Sequence, residues 1–154
     1  MTEYKATGKY YEDFKVGDEF CTVSRTITEA DIVNFAGVSG DFIQLHTSEE
    51  YAKGTVHKGR IAHGLLSLAI STGEVSQSGL FDGTILAYLN TSVDFKSVVR
   101  IGDTIRTIIK VVELRETKKP GVAVMKTAGQ VYNQNDIVVL EHTDTVMIMC
   151  RPTK

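Results

Sequence analysis

Residues 64–79 read GLLSLAISTGEVSQSG. Leu65, Leu66, Leu68, Ala69 and Ile70 crowd the first half of the stretch and leave it few polar faces. A helix apolar over that much of its surface is expected to be buried. Gly79 supplies its stop. The pattern then changes. Residues 84–96 (TILAYLNTSVDFK), 103–117 (DTIRTIIKVVELRET), 121–133 (GVAVMKTAGQVYN) and 137–150 (IVVLEHTDTVMIMC) are rich in Val, Ile, Thr and Tyr and largely alternate. They predict four strands, starting near Thr84, Asp103, Gly121 and Ile137. KKPG and NQND between them have turn chemistry, which predicts antiparallel hairpins. One buried helix ahead of long antiparallel strands makes an α+β domain, with the sheet wrapped around the central helix.

The chain before the helix is shorter-ranged in pattern. Residues 19–27 (EFCTVSRTI) alternate as a strand does. Thr28 followed by Asp31 resembles a capping box with Asp in the Glu position, and Ile32, Phe35 and Ala36 fall on one face of the helix it would open. Gly37 and Gly40 are its expected stop. Asp41–Thr47 reads as a loop, Ser48 as the cap of a short helical turn, and the glycines at 54, 59 and 64 mark another loop.

A chain of 154 residues fits a single domain spanning 1–154 and can bury a full core without disulfides or metal. Hydrophobic residues make up 42% and charged residues 23%, an ordinary globular balance that excludes wholesale disorder. A net charge of −2 argues against nucleic acid as a partner, because phosphate binding needs a positive excess. No apolar run is long enough to cross a bilayer, and the polar N-terminal stretch lacks the apolar core of a secretory signal, so a cytoplasmic location is expected. Cys21 and Cys150 are far apart and read as buried free thiols, with neither a zinc site nor a disulfide framework. There is no Gly-rich dinucleotide fingerprint and no phosphate-binding P-loop.

Chemistry concentrates in SGDFIQLHTSEEY, residues 39–51. Asp41 and His46 stand beside Phe42, Ile43 and Leu45. A carboxylate among apolar side chains holds its proton more tightly, and histidine titrates near neutrality, so the pair could handle protons. The same residues could equally cap a turn after Gly40 and hydrogen-bond a carbonyl. His57 reads as exposed and His142 as lying on the solvated face of its strand. Lys58, Arg60, Lys96 and Arg100 are cations that suit phosphate, though solvation explains each alone.

SGDFIQLH, followed by TSEEYA, GRIAHGLLSLAI and VDFKSVVRIGDTI, resembles the MaoC-like, or hydratase-2, branch of hot-dog proteins, from YYEDFKVGDEF to the last strand. The family motif reads G-D-x-N-P-aliphatic-H. Gly40, Asp41, Leu45 and His46 match it, while Ile43 and Gln44 replace its Asn and Pro. The resemblance implies (R)-specific hydration of a trans-2-enoyl thioester of coenzyme A, or the reverse dehydration, with Asp41 and His46 holding the reacting water. It implies no cofactor and no metal, since coenzyme A arrives as part of the substrate. It also implies a homodimer, with a trimer of dimers left open. An enolate oxygen needs backbone donors, and the N–H of Gly64 at the helix start is the candidate. His63, Ile43 and Gln44 are the other candidate substrate-side residues, and Ser71 or Thr72 a supporting hydroxyl near Asp41. Two alternatives accompany this reading. A hot-dog thioesterase would use Glu74 on the buried helix. A non-catalytic acyl-thioester binding module is suggested by Ile43.

Overall fold

The computed structural model describes residues 5–152. After a 3-10 turn at Tyr11–Asp13 come β1 (Glu19–Cys21), β2 (Arg25–Thr26), α1 (Glu29–Ser39), α2 (Gln44–Thr47), α3 (Glu49–Lys53) and α4 (Gly64–Gln77). Strands β3 (Ile85–Phe95), β4 (Thr104–Glu116), β5 (Val122–Tyr132) and β6 (Val138–Met149) follow. The sheet is antiparallel in the order β1-β4-β5-β6-β3, with β2 also on β4. The four long strands begin within a residue of their expected starts, and the α+β architecture is the expected one.

Three local readings need correction. The single strand expected over residues 19–27 is interrupted. Cys21 pairs with Ile108 and Arg25 with Ile105, so three residues face two on β4, a bulge. The side-chain hydroxyl of Thr22 stands in for the ladder there, accepting from the Thr107 N–H at 2.9 Å. Residues 44–47 form a turn of helix rather than loop. Helix α1 runs through Gly37 and stops only at Gly40, whose φ of 77° places it in the left-handed region that glycine adopts without a Cβ clash. The capping box forms as read: Thr28 Oγ1 accepts from the Asp31 N–H, and Asp31 Oδ2 accepts from the Thr28 N–H at 2.8 Å.

Helix α4 is buried on one face rather than all round. Leu66, Ser67, Ile70, Ser71 and Glu74 face the sheet, while Leu65 is 59% exposed. The buried face is therefore partly polar. It divides the core in two. One cluster gathers Ile27, Ile32, Leu66, Ile70, Val131 and Leu140 around the first half of α4. The other gathers Phe14, Val111, Met125, Val146 and Ile148 at the far end of the sheet. Between them runs a hydrogen-bonded belt: Glu74 Oε2 accepts from Thr22 and Thr107, Thr107 Oγ1 lies 2.8 Å from Ser71 Oγ, Ser71 Oγ lies 3.3 Å from His142 Nε2, and His142 Nδ1 lies 2.8 Å from Asp144 Oδ2. Buried polar groups need such partners, since an unpaired one is expensive in a low-dielectric interior.

Candidate active site

The left-handed Gly40 turns the chain sharply out of α1. Ser39 Oγ then accepts from the Asp41 N–H at 3.2 Å, and Asp41 Oδ1 accepts from the Ile43 N–H at 3.3 Å. This side-chain turn launches α2, which buries His46. Nδ1 of His46 lies 2.8 Å from the carbonyl oxygen of Ile61. A carbonyl only accepts, so Nδ1 carries the hydrogen, and in the neutral imidazole the lone pair falls on Nε2.

His63, 2% exposed, caps α4 from the loop before it. Its Nε2 donates to the main-chain oxygen of Asp41 at 2.9 Å. Its ring stacks on that of His46, with centroids 3.8 Å apart and planes 30° apart, and the Phe35 ring lies 5.0 Å from it at a 55° tilt. Nδ1 of His63 is buried without a hydrogen-bond partner among the described residues. One ligating atom each from Asp41, His46 and His63 lies within 4.8 Å of the other two. The sequence pair thus converges, and His63 joins it as the residue that ties Asp41 to the imidazole of His46. The same two imidazoles and carboxylate are the group that could hold a metal ion, being donors that transition metals accept.

A cavity of about 300 Å³ opens beside His46, between the first turns of α4 and the ends of β3 and β6. Its wall is mostly apolar, with Ile61, Leu65, Phe95, Val99 and Leu140, and it also carries Gly64 and Ser67. The N–H of Gly64 sits in the first turn, where α-helix geometry supplies no acceptor. A Cβ at Gly64 would lie 2.7 Å from the ring of Phe95, which would have to shift to admit it.

Other expected site residues fall elsewhere. Ile43 is 62% and Phe42 61% exposed, and Gln44 is exposed too, so the stretch 42–44 faces outward and does not line this cavity. The apolar wall comes instead from residues near 61 and 99 and from the strand ends, which only the fold brings together. Ser71 bonds His142, and Thr72 is exposed and donates to the Leu68 carbonyl. His142 is not on a solvated face: it is 4% exposed and points inward, because its neighbour Glu141 takes the outer side of the strand. His57 is half-buried rather than exposed. Cys21, on the edge strand β1, is exposed, and Cys150, just past the end of β6, is half-buried; both are free thiols rather than buried ones. Arg60 is engaged with Glu29 at 2.7 Å and with Glu49, Lys96 with Glu141, and Arg100 with the His57 carbonyl, so these three cations are paired internally.

The buried belt is what sequence reading missed. Its signal was present in Ser67, Ser71 and Glu74, polar residues at helical spacing on the face of Leu66 and Ile70. Burial pushes the Glu74 carboxyl above its ordinary range, against hydrogen bonds from Thr107 and Thr22 that pull it down. Asp144 goes the other way. Burial alone would raise it, but hydrogen bonds from His142, Tyr88 and Thr91 together outweigh that and hold it low.

A sequence profile of the MaoC like domain matches residues 13–132. The protein belongs to the MaoC-like family. An (R)-specific enoyl-CoA hydratase of Rhodospirillum rubrum is 39% identical over 142 residues, covering 92% of this MaoC-like chain and 93% of the relative. The crystal structure of a MaoC-like dehydratase from Rhodospirillum rubrum superposes with a TM-score of 0.84 at 28% identity, covering 95% of this chain and all of that one (100%). A Mycobacterium tuberculosis protein with a double hotdog fold superposes at a TM-score of 0.85, covering 98% of this chain and 47% of that one; at 22% identity it shares the fold alone. This MaoC-like protein is thus a hot-dog protein of the hydratase and dehydratase class. No helix among the described residues is long and apolar enough to cross a membrane.

Proposed function

We propose that the protein adds water to trans-2-enoyl-CoA to give (R)-3-hydroxyacyl-CoA and catalyses the reverse dehydration. The observation that carries this is the approach of the Asp41 carboxylate to the imidazole of His46, within 4.8 Å, where His46 meets an apolar cavity that also presents Gly64. Water bonded between the two side chains is attacked at its proton by the free Nε2 of His46. Its oxygen adds to the β-carbon, and the pair returns a proton to the α-carbon on the same face. Hydrogen-bond reach to one water is the geometric requirement for such transfer. As negative charge moves onto the thioester oxygen, the N–H of Gly64 and the positive end of the α4 dipole receive it. The apolar wall excludes bulk water and so strengthens these contacts.

The thioesterase alternative needed Glu74 on the cavity and Asp41 and His46 apart. Glu74 is instead 2% exposed, bonded to Thr22 and Thr107, and absent from the cavity wall. Strand β3 is an edge strand with Leu86, Tyr88, Leu89 and Phe95 exposed, which supports a homodimer paired through it. Two free thiols suit a reducing, cytoplasmic setting.

The test is hydration of crotonyl-CoA followed by loss of enoyl absorbance, with chiral analysis of the product. Asp41→Asn and His46→Ala should each lose at least roughly 100-fold in turnover, the lower end for a positioned proton-transfer group. Turnover unchanged in both variants would remove the pair from the mechanism.

A further inference from the structure

His46 and His63 each bond a main-chain carbonyl through one ring nitrogen. Nδ1 of His46 is 2.8 Å from the oxygen of Ile61, and Nε2 of His63 is 2.9 Å from that of Asp41. A carbonyl only accepts, so in each neutral imidazole the bonded nitrogen carries the hydrogen and the other carries the lone pair. The lone pairs therefore fall on Nε2 of His46 and Nδ1 of His63. The second of these is buried with no hydrogen-bond partner among the described residues, in a residue only 2% exposed. A buried acceptor left in that state is costly and calls for a ligand.

The hydration mechanism does not use that lone pair, because His63 acts there only through the N–H it gives to Asp41. Histidines that hold metal ions show the same division of labour. One nitrogen faces the metal, and the other gives its N–H to a carbonyl or carboxylate, which fixes the tautomer and the ring. Here two stacked imidazoles share it, with centroids 3.8 Å apart. The Asp41 carboxylate is the third donor, and one ligating atom from each of the three lies within 4.8 Å of the others. No other three His, Cys, Asp or Glu side chains converge in this way among the described residues. In a tetrahedral zinc site, with bonds of about 2.0–2.2 Å, ligand atoms stand about 3.4 Å apart, so the trio has to contract by roughly 1.4 Å at most. Asp41 is free to turn toward the rings, since its carboxylate is half-buried and holds the Ile43 N–H at a long 3.3 Å.

We propose that Asp41, His46 and His63 form a binding site for one zinc-class divalent cation. The ion inhibits hydration, because it occupies the carboxylate and the imidazole nitrogen that otherwise hold the reacting water. The binding stands on the trio alone, and the inhibition rests on the hydratase reading above. Two imidazoles and a carboxylate suit zinc and its first-row neighbours, whereas magnesium and calcium take oxygen ligands. Ligands must be deprotonated to bind a metal, and both nitrogens are already bare in the neutral imidazoles. Three protein ligands leave the ion a fourth position for water.

The experiment titrates metal-free protein with zinc by calorimetry and with cobalt by visible absorption, and follows crotonyl-CoA hydration at each zinc concentration. One ion per chain is expected, with a cobalt spectrum free of thiolate charge transfer. Asp41→Asn, His46→Ala and His63→Gln should each weaken zinc at least about tenfold, the loss seen when even an outer partner of a metal ligand is removed. Asp41→Asn keeps the main-chain oxygen that holds His63, so it isolates the carboxylate from any loss of fold. Cys21→Ser and His57→Gln remove an exposed thiol and a half-buried imidazole outside the trio, and should leave zinc affinity unchanged. Turnover should fall in step with zinc occupancy, return when EDTA is added to the loaded protein, and ignore magnesium. Unchanged zinc affinity in Asp41→Asn and His63→Gln, or its loss in Cys21→Ser, overturns the site. Full turnover by zinc-loaded protein overturns the inhibition. Wild-type inactivity on crotonyl-CoA would instead sink the hydratase reading, and the calorimetry and cobalt spectra would still support or reject the site.

Discussion

Asp41 with His46 and Asp144 with His142 are the same two functional groups in different surroundings. The first pair sits where a helix ends and a short one begins, with His46 bonded to protein at one ring nitrogen and its other nitrogen free beside a cavity. The second pair lies within the sheet, with His142 Nε2 3.3 Å from Ser71 Oγ and Nδ1 2.8 Å from Asp144 Oδ2. Chemistry needs an atom whose valence the protein leaves open toward space that a substrate can enter. Stability needs the reverse. The first pair meets the former condition and the second the latter, which is why residue type alone could not rank them.

The contrast can be broken by exchanging the effects of substitution. His46→Ala should lose at least roughly 100-fold in turnover, about 2.7 kcal/mol of barrier, with little change in Tm. A large fall in Tm with unchanged specific activity would place His46 on the structural side. Gly64→Ala comes next. Its Cβ would push on the Phe95 ring, 2.7 Å away, and disturb the cavity at its N–H donor. A drop of about tenfold to 100-fold in kcat/KM is expected, the scale set by small misplacements at a reacting centre. Activity retained in full would show that the helix start is not where the thioester docks.

Ser71→Ala acts on the buried belt, since Ser71 is fully buried and bonded to Thr107 and His142. Losing its bonds to Thr107 and His142 should lower stability by about 1 kcal/mol, or about 2–4 °C in Tm, measured by thermal unfolding. A drop in Tm of zero would mean the belt is not coupled through that hydroxyl.

A smaller, pH-dependent effect sharpens the belt further. Glu74 has its folded proton affinity raised by burial, so its contribution to stability is complete below its ordinary value of 4.5 and is lost as pH rises through the raised folded value. Glu74→Gln cannot ionise. Its Tm should gain on that of the wild type as pH is raised from about 5 to about 8, and the gain should vanish in acid. A pH-independent difference would remove Glu74 as a titrating member. The smallest expected effect is none at all: chelation by EDTA should leave hydration unchanged, because in the proposed mechanism Asp41, His46 and His63 engage water and protein rather than a metal ion. Loss on chelation and recovery with zinc would reverse that view of the trio.

Much of this arrangement is legible along the chain. The capping box at Thr28, the Gly40 stop, the four strands and the helix at Gly64 all follow from local rules, because turns, caps and strand alternation act over a few residues. Asp41 and His46 were readable too, since both belong to one short motif. Ile43 and Gln44, which depart from that motif, face outward, so the motif positions lost here are not on the cavity wall. The interrupted first strand was not readable, because the Thr22 hydroxyl that replaces a ladder bond finds its partner at Thr107, eighty-five residues away.

The order of helix and strands, the hairpin turns and the closeness of Asp41 to His46 were determined by the sequence alone, through interactions between residues close in the chain. Which face of α4 is polar and what His142 does were decided only by tertiary packing. Those depend on Ser71, Gly129, His142 and Asp144 meeting from three separate elements. The physical reason is that hydrogen bonds and excluded space are set by distances in three dimensions, and no local period encodes them.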